Sequence, residues 1–420
     1  LIIGYNNASF DDEFIRHLFY RTFLDPYGWH YRNGNRRFDL FRVIPAIHDF
    51  HRDALVWPRT DAGMPDFRLE ALAAANEAES GTSHEALADT FALRNIAKIV
   101  AERLPEVWTS LPTLLTREAV ERRFQAALRS GPVSADAGSA DAGSGDAGSG
   151  DEHAGILVYS SALLRTETRS STLGIPLGRE NGGAGQWWLL DLSVEPAVVF
   201  DREPEEYAAC IRDGTLTRDQ RALHRINPRR FPFVIPAGAK QITDLGARGL
   251  AWESVARNIE LLPVERFGDW AARFLVAVGE GERDTVDVDE RLYDRFPPDG
   301  DRETIALLEA LTTPDIAEKL REVSFSDDRY SELVRRFHAR YQPTRLSDGE
   351  REAFRAGARE RVDVETFDAT WRIVRNSFLK RAQGTRSVIH KRERVLTDLR
   401  EHRNALVQRL GMNDRFGVLE

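Results

Sequence analysis

The sequence predicts a three-part chain, mixed α/β, then mostly β, then helical, and three observations carry that prediction. Apolar residues follow mixed strand and helix periods over 1–130, short apolar runs punctuated by turn residues fill 153–253, and helix-period patterns occupy 254–420. Between the first two parts, 131–152 holds "SADAGSADAGSGDAGSGDE", an Ala/Asp/Gly/Ser repeat with nothing apolar to bury, which reads as a flexible linker or insert.

A chain of 420 residues is long enough for two or three cores. No stretch approaches the roughly 18 apolar residues of a membrane span, so no membrane partner is expected. The single cysteine, Cys210, excludes an internal disulfide framework and a cysteine-based zinc or iron-sulfur site, and fits a reducing, cytoplasmic setting. A formal charge of -9 disfavours a protein that coats nucleic acid nonspecifically, while leaving room for a local basic cleft. Arginines number 53 against 5 lysines; they reflect composition bias or supply planar forks for phosphate.

In the first part, "LIIGY" reads as a strand over Leu1 to Tyr5, and "NNASFDDEFIRHLFY" as a turn feeding a helix. Ser9 and Asp12 have capping-box spacing, which puts Asp11 in the first helical turn. Asp11, Asp12 and Glu13 either neutralise that helix end or include a metal ligand. In "GTSHEALADTFALRNIAKIV", Leu93, Ala97 and Val100 fall within about 40° of Ala86 at helical spacing and predict a buried stripe. Asp89 lies about 60° from that line, at the edge where a carboxylate needs a partner or a cation. His84 converges with Asp89 only if it sits in the turn before the helix; on spacing alone, a lone His followed by an acid is more often a surface residue or a cap. Phe67 and Arg68 in "DFRLEAL" offer a ring for a base and a cation for a phosphate, or a buried ring and a surface arginine.

The β part, "AGILVYS", "STLGIPLG", "QWWLLDLS", "PAVVF" and "FPFVIPAG", suggests a small barrel or sandwich. Trp187 and Trp188 are adjacent in a strand, so one is expected in the core and the other outward. The run "HRINPRR" is basic. In the helical part, "SDGE" offers a capping box at Ser347 and Glu350.

The order "GYNNASFDDEFIRHLFYRTFLDPYGWH", "RRFDLFRVIPA" and "GMPDFRLEALAAANEAESGTSHEALADTFA" resembles bacterial exonuclease I, of the DnaQ-like DEDDh exonuclease superfamily. The resemblance continues through "RALHRINPRRFPFVIPA", "VDERLYDRFPPDGDRE" and "SFSDDRYSELVRRFHARYQP", covering the chain apart from the repeat. It implies an α/β ribonuclease H-like exonuclease domain, an SH3-like β domain and a C-terminal helical domain. It also implies 3' to 5' degradation of single-stranded DNA to nucleoside 5'-monophosphates, in DNA repair and recombination. Asp11 and Asp89 would be metal ligands, His84 the general base, and two Mg2+ ions, or Mn2+, the cofactors. Partners would be single-stranded DNA and the acidic C-terminal tail of single-stranded DNA-binding protein, with "HRINPRR" facing one of them and the protein a monomer.

The family's first motif, a strand bearing "DxE", should precede "GYNN" by about a hundred residues and has no counterpart in this sequence. A part of a longer enzyme, with an incomplete exonuclease domain over 1–130 and negligible hydrolysis, is therefore expected. The alternative is a non-catalytic module that binds single-stranded DNA.

Overall fold

A computed structural model describes residues 1–79, 86–131, 153–180, 185–279, 287–380 and 386–412, with backbone only at 376–380 and 386–393. The chain forms two compact units, Leu1–Leu18 with Pro26–Thr285, and Phe19–Asp25 with Val286–Glu420. The three-part architecture expected from the sequence is present, with a mixed α/β region, a five-stranded SH3-like sheet and a helical C-terminal region.

The α/β region opens with strand β1 (Ile2–Gly4), which pairs in parallel with β2 (Arg37–Asp39) in a two-stranded sheet. Leu1 is exposed, Ile2 is half-buried, and Ile3 is half-buried against the core described below. Helix α1 (Asp11–Arg21) follows the turn after β1. The core beneath gathers Phe38, Leu40, Ile44 and Ile47 with Ile96, Val100 and Leu111. On the helix Ala86–Arg103 the buried line runs through Ala88, Ala92, Ile96, Ala97 and Val100. Ala86 is exposed, so the stripe is rotated from the one the sequence predicts.

The second sheet is antiparallel in the order β6-β5-β4-β3-β7, from β3 (Leu157–Ser160), β4 (Ser171–Arg179), β5 (Trp187–Asp191), β6 (Leu223–Ile226) and β7 (Phe233–Pro236). One face packs Trp187 and Leu189 on Val120 and Phe124 of the helix Arg117–Arg129. The other packs Trp188 and Leu190 against Tyr207, Trp270 and Phe274. Both tryptophans are therefore buried, Trp187 stacked on Phe124 at 4.9 Å and Trp188 edge-on to Phe274 at 5.0 Å. The outward tryptophan expected from strand alternation is absent because helices cover both faces, which is also why the strands read as unbroken apolar runs.

The helices Trp252–Glu260 and Val264–Gly279 supply part of that cover, through Val255, Phe267, Trp270 and Phe274. They pack on the sheet, and the second compact unit resumes at Val286. In that unit Phe23 is fully buried against Phe325 and Phe337. Asp327 caps the helix Asp328–Tyr341 and clamps the buried Arg329 beside it. Ser347 and Glu350 form the expected capping box.

The repeat at 134–151 lies outside the described residues, yet its two anchors are informative. A Cβ on Gly155, which has φ +86°, would fall 2.6 Å from the Cα of Gly131. Gly131 and Gly155 therefore lie side by side. Loop-closure cost changes only slowly with loop length, so deleting 134–151 should shift the unfolding midpoint by less than about 3 °C, read by differential scanning calorimetry.

Candidate nucleic-acid interface

The site is built on the turn between β1 and α1. Register pairs Gly4 with Asp39, so the end of β2 lies beside the point where the chain leaves β1. There the fully buried Asp39 carboxylate accepts the backbone N–H groups of Asn6 (2.7 Å), Ala8 (3.2 Å) and Phe41 (3.1 Å). Asn6 takes a left-handed φ of 62°, which an asparagine tolerates. Asn7 then packs where a Cβ on Gly4 would collide with it, and its amide donates to Asp12 at 3.2 Å. Tyr5 donates through its hydroxyl to the carbonyl of Phe67 at 2.5 Å, tying the same turn to the 66–68 segment.

The capping box expected at Ser9 and Asp12 is replaced by other bonds. The Ser9 hydroxyl accepts from Arg42, and Asp12 is buried in an ion pair with Arg37. Asp11 still opens α1, as expected, with its side chain exposed. Asp89 is exposed in the first turn of the helix Ala86–Arg103, and His84 lies outside the described residues. Phe67 is 1% exposed, edge-on to His48 and Trp57, so its ring has no open face for a base. Arg68 keeps an exposed guanidinium that grips Asp66 at 2.5 to 3.0 Å, and this bonding holds the Asp66 carboxyl below the usual carboxylate range.

Among the described residues no group of three or more His, Cys, Asp or Glu side chains could hold a metal ion. Asp12, the acid next to Asp11, is committed to Arg37. The described residues alone therefore do not fit the two-cation centre that the resemblance implies.

What the turn does border is a cavity of about 450 Å³, with Ser9, Phe41 and Arg42 on one wall and Ser160, Arg225, Asn227, Arg230 and Phe233 on the SH3-like side. Arg225 is held by the nearly buried Glu180 through two bonds of 2.8 and 2.9 Å, while Arg230 is exposed. Arg225 and Arg230 come from the basic run singled out in the sequence. Arg42 and Asp39 carried no comparable signal, because a lone arginine or aspartate near an apolar segment has many structural uses.

Residues 286–406 match the family model described as the Exonuclease I C-terminal domain. Exodeoxyribonuclease I of Haemophilus influenzae is 26% identical over 351 residues, taking in 81% of this chain and 67% of that relative. Four further exodeoxyribonuclease I relatives match over only 22 to 26% of their lengths. Escherichia coli exonuclease I in complex with a dA16 oligonucleotide superposes with a TM-score of 0.76 at 21% identity, covering 97% of this chain and 81% of that one. An ExoI/SSB-Ct complex superposes at 0.73 and 21%, covering 96% and 80%. At such identities the superpositions establish the exonuclease I fold.

Removing the Asp39 carboxylate would strand three backbone donors of the turn. Asp39→Ala should cost about 2 to 4 kcal/mol in urea unfolding. Burial pushes the Asp39 carboxyl above its ordinary value of 3.8, against the opposing pull of Arg42 and the three N–H groups. With the folded value raised, this group's contribution is complete below pH 3.8 and is lost as pH rises through the folded value. Asp39→Asn, which cannot ionise, should flatten that limb of the stability profile.

Proposed function

We propose that this chain handles single-stranded DNA as part of an exonuclease I-type 3' to 5' exodeoxyribonuclease. Homology supports that activity at the level of the family. The observation that carries the reading is the arginine-lined cavity, because Ser9 on its wall is two residues before Asp11, the first acid of α1. Arg42, Arg225 and Arg230 suit a phosphodiester backbone, which needs planar donors more than sequence readout. Phe10 and Phe14, at the start of α1, add exposed rings 4.8 Å apart on which bases could stack.

In this reading Asp11, Asp89 and His84 belong to the hydrolytic centre, and Arg68 offers an exposed cation to the strand. Two aspartates and a histidine are too few to hold a pair of divalent cations in register, so the 420-residue chain binds the strand and releases little nucleotide. The C-terminal tail of single-stranded DNA-binding protein is the proposed protein partner, its acidic character matching exposed arginines such as Arg230.

The test follows a 5'-labelled oligodeoxythymidine by fluorescence anisotropy and by product analysis with Mg2+ and with chelator. The chain should bind, and Arg230→Gln should weaken binding about threefold to tenfold and lower the salt slope by about 0.7, irrespective of sequence. Absence of binding would remove the reading; rapid chelator-sensitive release of mononucleotides would remove its non-hydrolytic half.

A further inference from the structure

Asp12 and Arg37 form an ion pair whose side chains are 2% and 8% exposed. Burying two charges is a costly way to hold a helix, and an apolar pair of similar volume would commonly be as stable or more so. The pair is further enclosed by aromatic rings. The guanidinium carbon of Arg37 lies 4.8 Å from the ring centre of Phe231 and 5.7 Å from that of Trp29. Trp29 is itself fixed, its indole N–H donating to the carbonyl of Pro26 at 3.1 Å and its carbonyl accepting from Asn35 at 2.9 Å.

Phe231 comes from the SH3-like region, between Arg230 and Pro232 on the cavity wall. Its φ of +53° is a left-handed conformation that a bulky residue adopts only when its surroundings impose it. The turn that delivers it is secured by Asn227, whose side chain accepts the N–H of Arg229 at 2.9 Å and whose carbonyl accepts that of Arg230 at 3.1 Å. A chain of contacts therefore runs from the cavity wall through Phe231 and Arg37 to Asp12, the residue after Asp11.

We infer that Arg37 is a positioning residue for Asp11, holding the first turn of α1 through Asp12 and held in turn by Phe231. This rests on the reading that Asp11 acts at the proposed site. The planar guanidinium is what the arrangement requires, since it pairs with a carboxylate at its edge while its faces meet rings; a lysine ammonium supplies the charge without the stacking. The SH3-like region thereby sets the orientation of a side chain 220 residues earlier in the chain, and not merely the shape of the cavity.

The test is amide hydrogen exchange on the 420-residue chain without DNA, so its outcome is independent of whether the strand binds. The reporters are the amides of Glu13 and Phe14, which donate to the carbonyl of Phe10 at 3.1 and 3.2 Å in the first turn of α1. Phe231→Leu should speed their exchange about tenfold while leaving the β3 and β4 amides unchanged. Arg37→Lys should keep the wild-type unfolding midpoint and still lose the α1 protection, a separation that a purely structural ion pair would not give. The double variant Arg37→Met with Phe231→Leu should be no faster than Arg37→Met alone, because both substitutions break one chain of contacts. Unchanged α1 amides in Phe231→Leu, full protection in Arg37→Lys, or additive effects in the double variant would each overturn the inference. Should Arg37→Met fail to fold, Arg37→Lys and Phe231→Leu decide the matter between them.

Discussion

The buried carboxylate of Asp39 is the constraint on which the site is built. Three backbone N–H groups converge on it from two sides, two from the turn after β1 and one from the segment after β2. A turn so tied cannot drift relative to the small parallel sheet, and every side chain it presents inherits that fixity. Asn7 against Gly4, Ser9 against Arg42 and the start of α1 all follow from it. A charge in a dry place is normally a liability, and here several donors share the work of stabilising it.

The same economy recurs in the second compact unit. Arg329, 1% exposed, donates to Asp327 and to the carbonyls of Arg291 and Arg295, while Arg295 reaches Asp327 from outside. Burial alone would raise the Asp327 carboxyl, but its bonds to Arg329 and Arg295 hold it far below the usual carboxylate range. In Arg403 and Asp368 the pattern appears again, with bonds of 2.9 and 2.6 Å between two late helices. The abundance of arginine is thus partly internal, with forks used to join elements whose apolar faces are modest.

Much of the fold was legible in the sequence, and the failures have physical causes. Strand and helix periods gave the three regions, and Ser347 with Glu350 gave a helix start, because such signals are local. Trp187 and Trp188 misled because alternation predicts faces only when one face meets solvent, and the sequence does not say that two layers of helix enclose the sheet. The same enclosure places the helices Trp252–Glu260 and Val264–Gly279 against the sheet. In the site, Asp11 could be placed in the first turn from spacing, but the fate of Asp12 could not, because its partner Arg37 is 25 residues away and looks like any basic residue at the start of a short strand. Phe67 shows the reverse difficulty: a ring beside an exposed arginine looks available in sequence, and only packing against His48 and Trp57 reveals that it is not.

The close approach of Gly131 and Gly155 matters beyond the residues that join them. A segment whose ends coincide transmits almost no tension to its host, since neither its length nor its internal shape alters the distance the scaffold must span. Such a junction is where a lineage can acquire or discard sequence in small steps without revisiting its core, and where a fluorescent or affinity module could be grafted with the sheet left as it is.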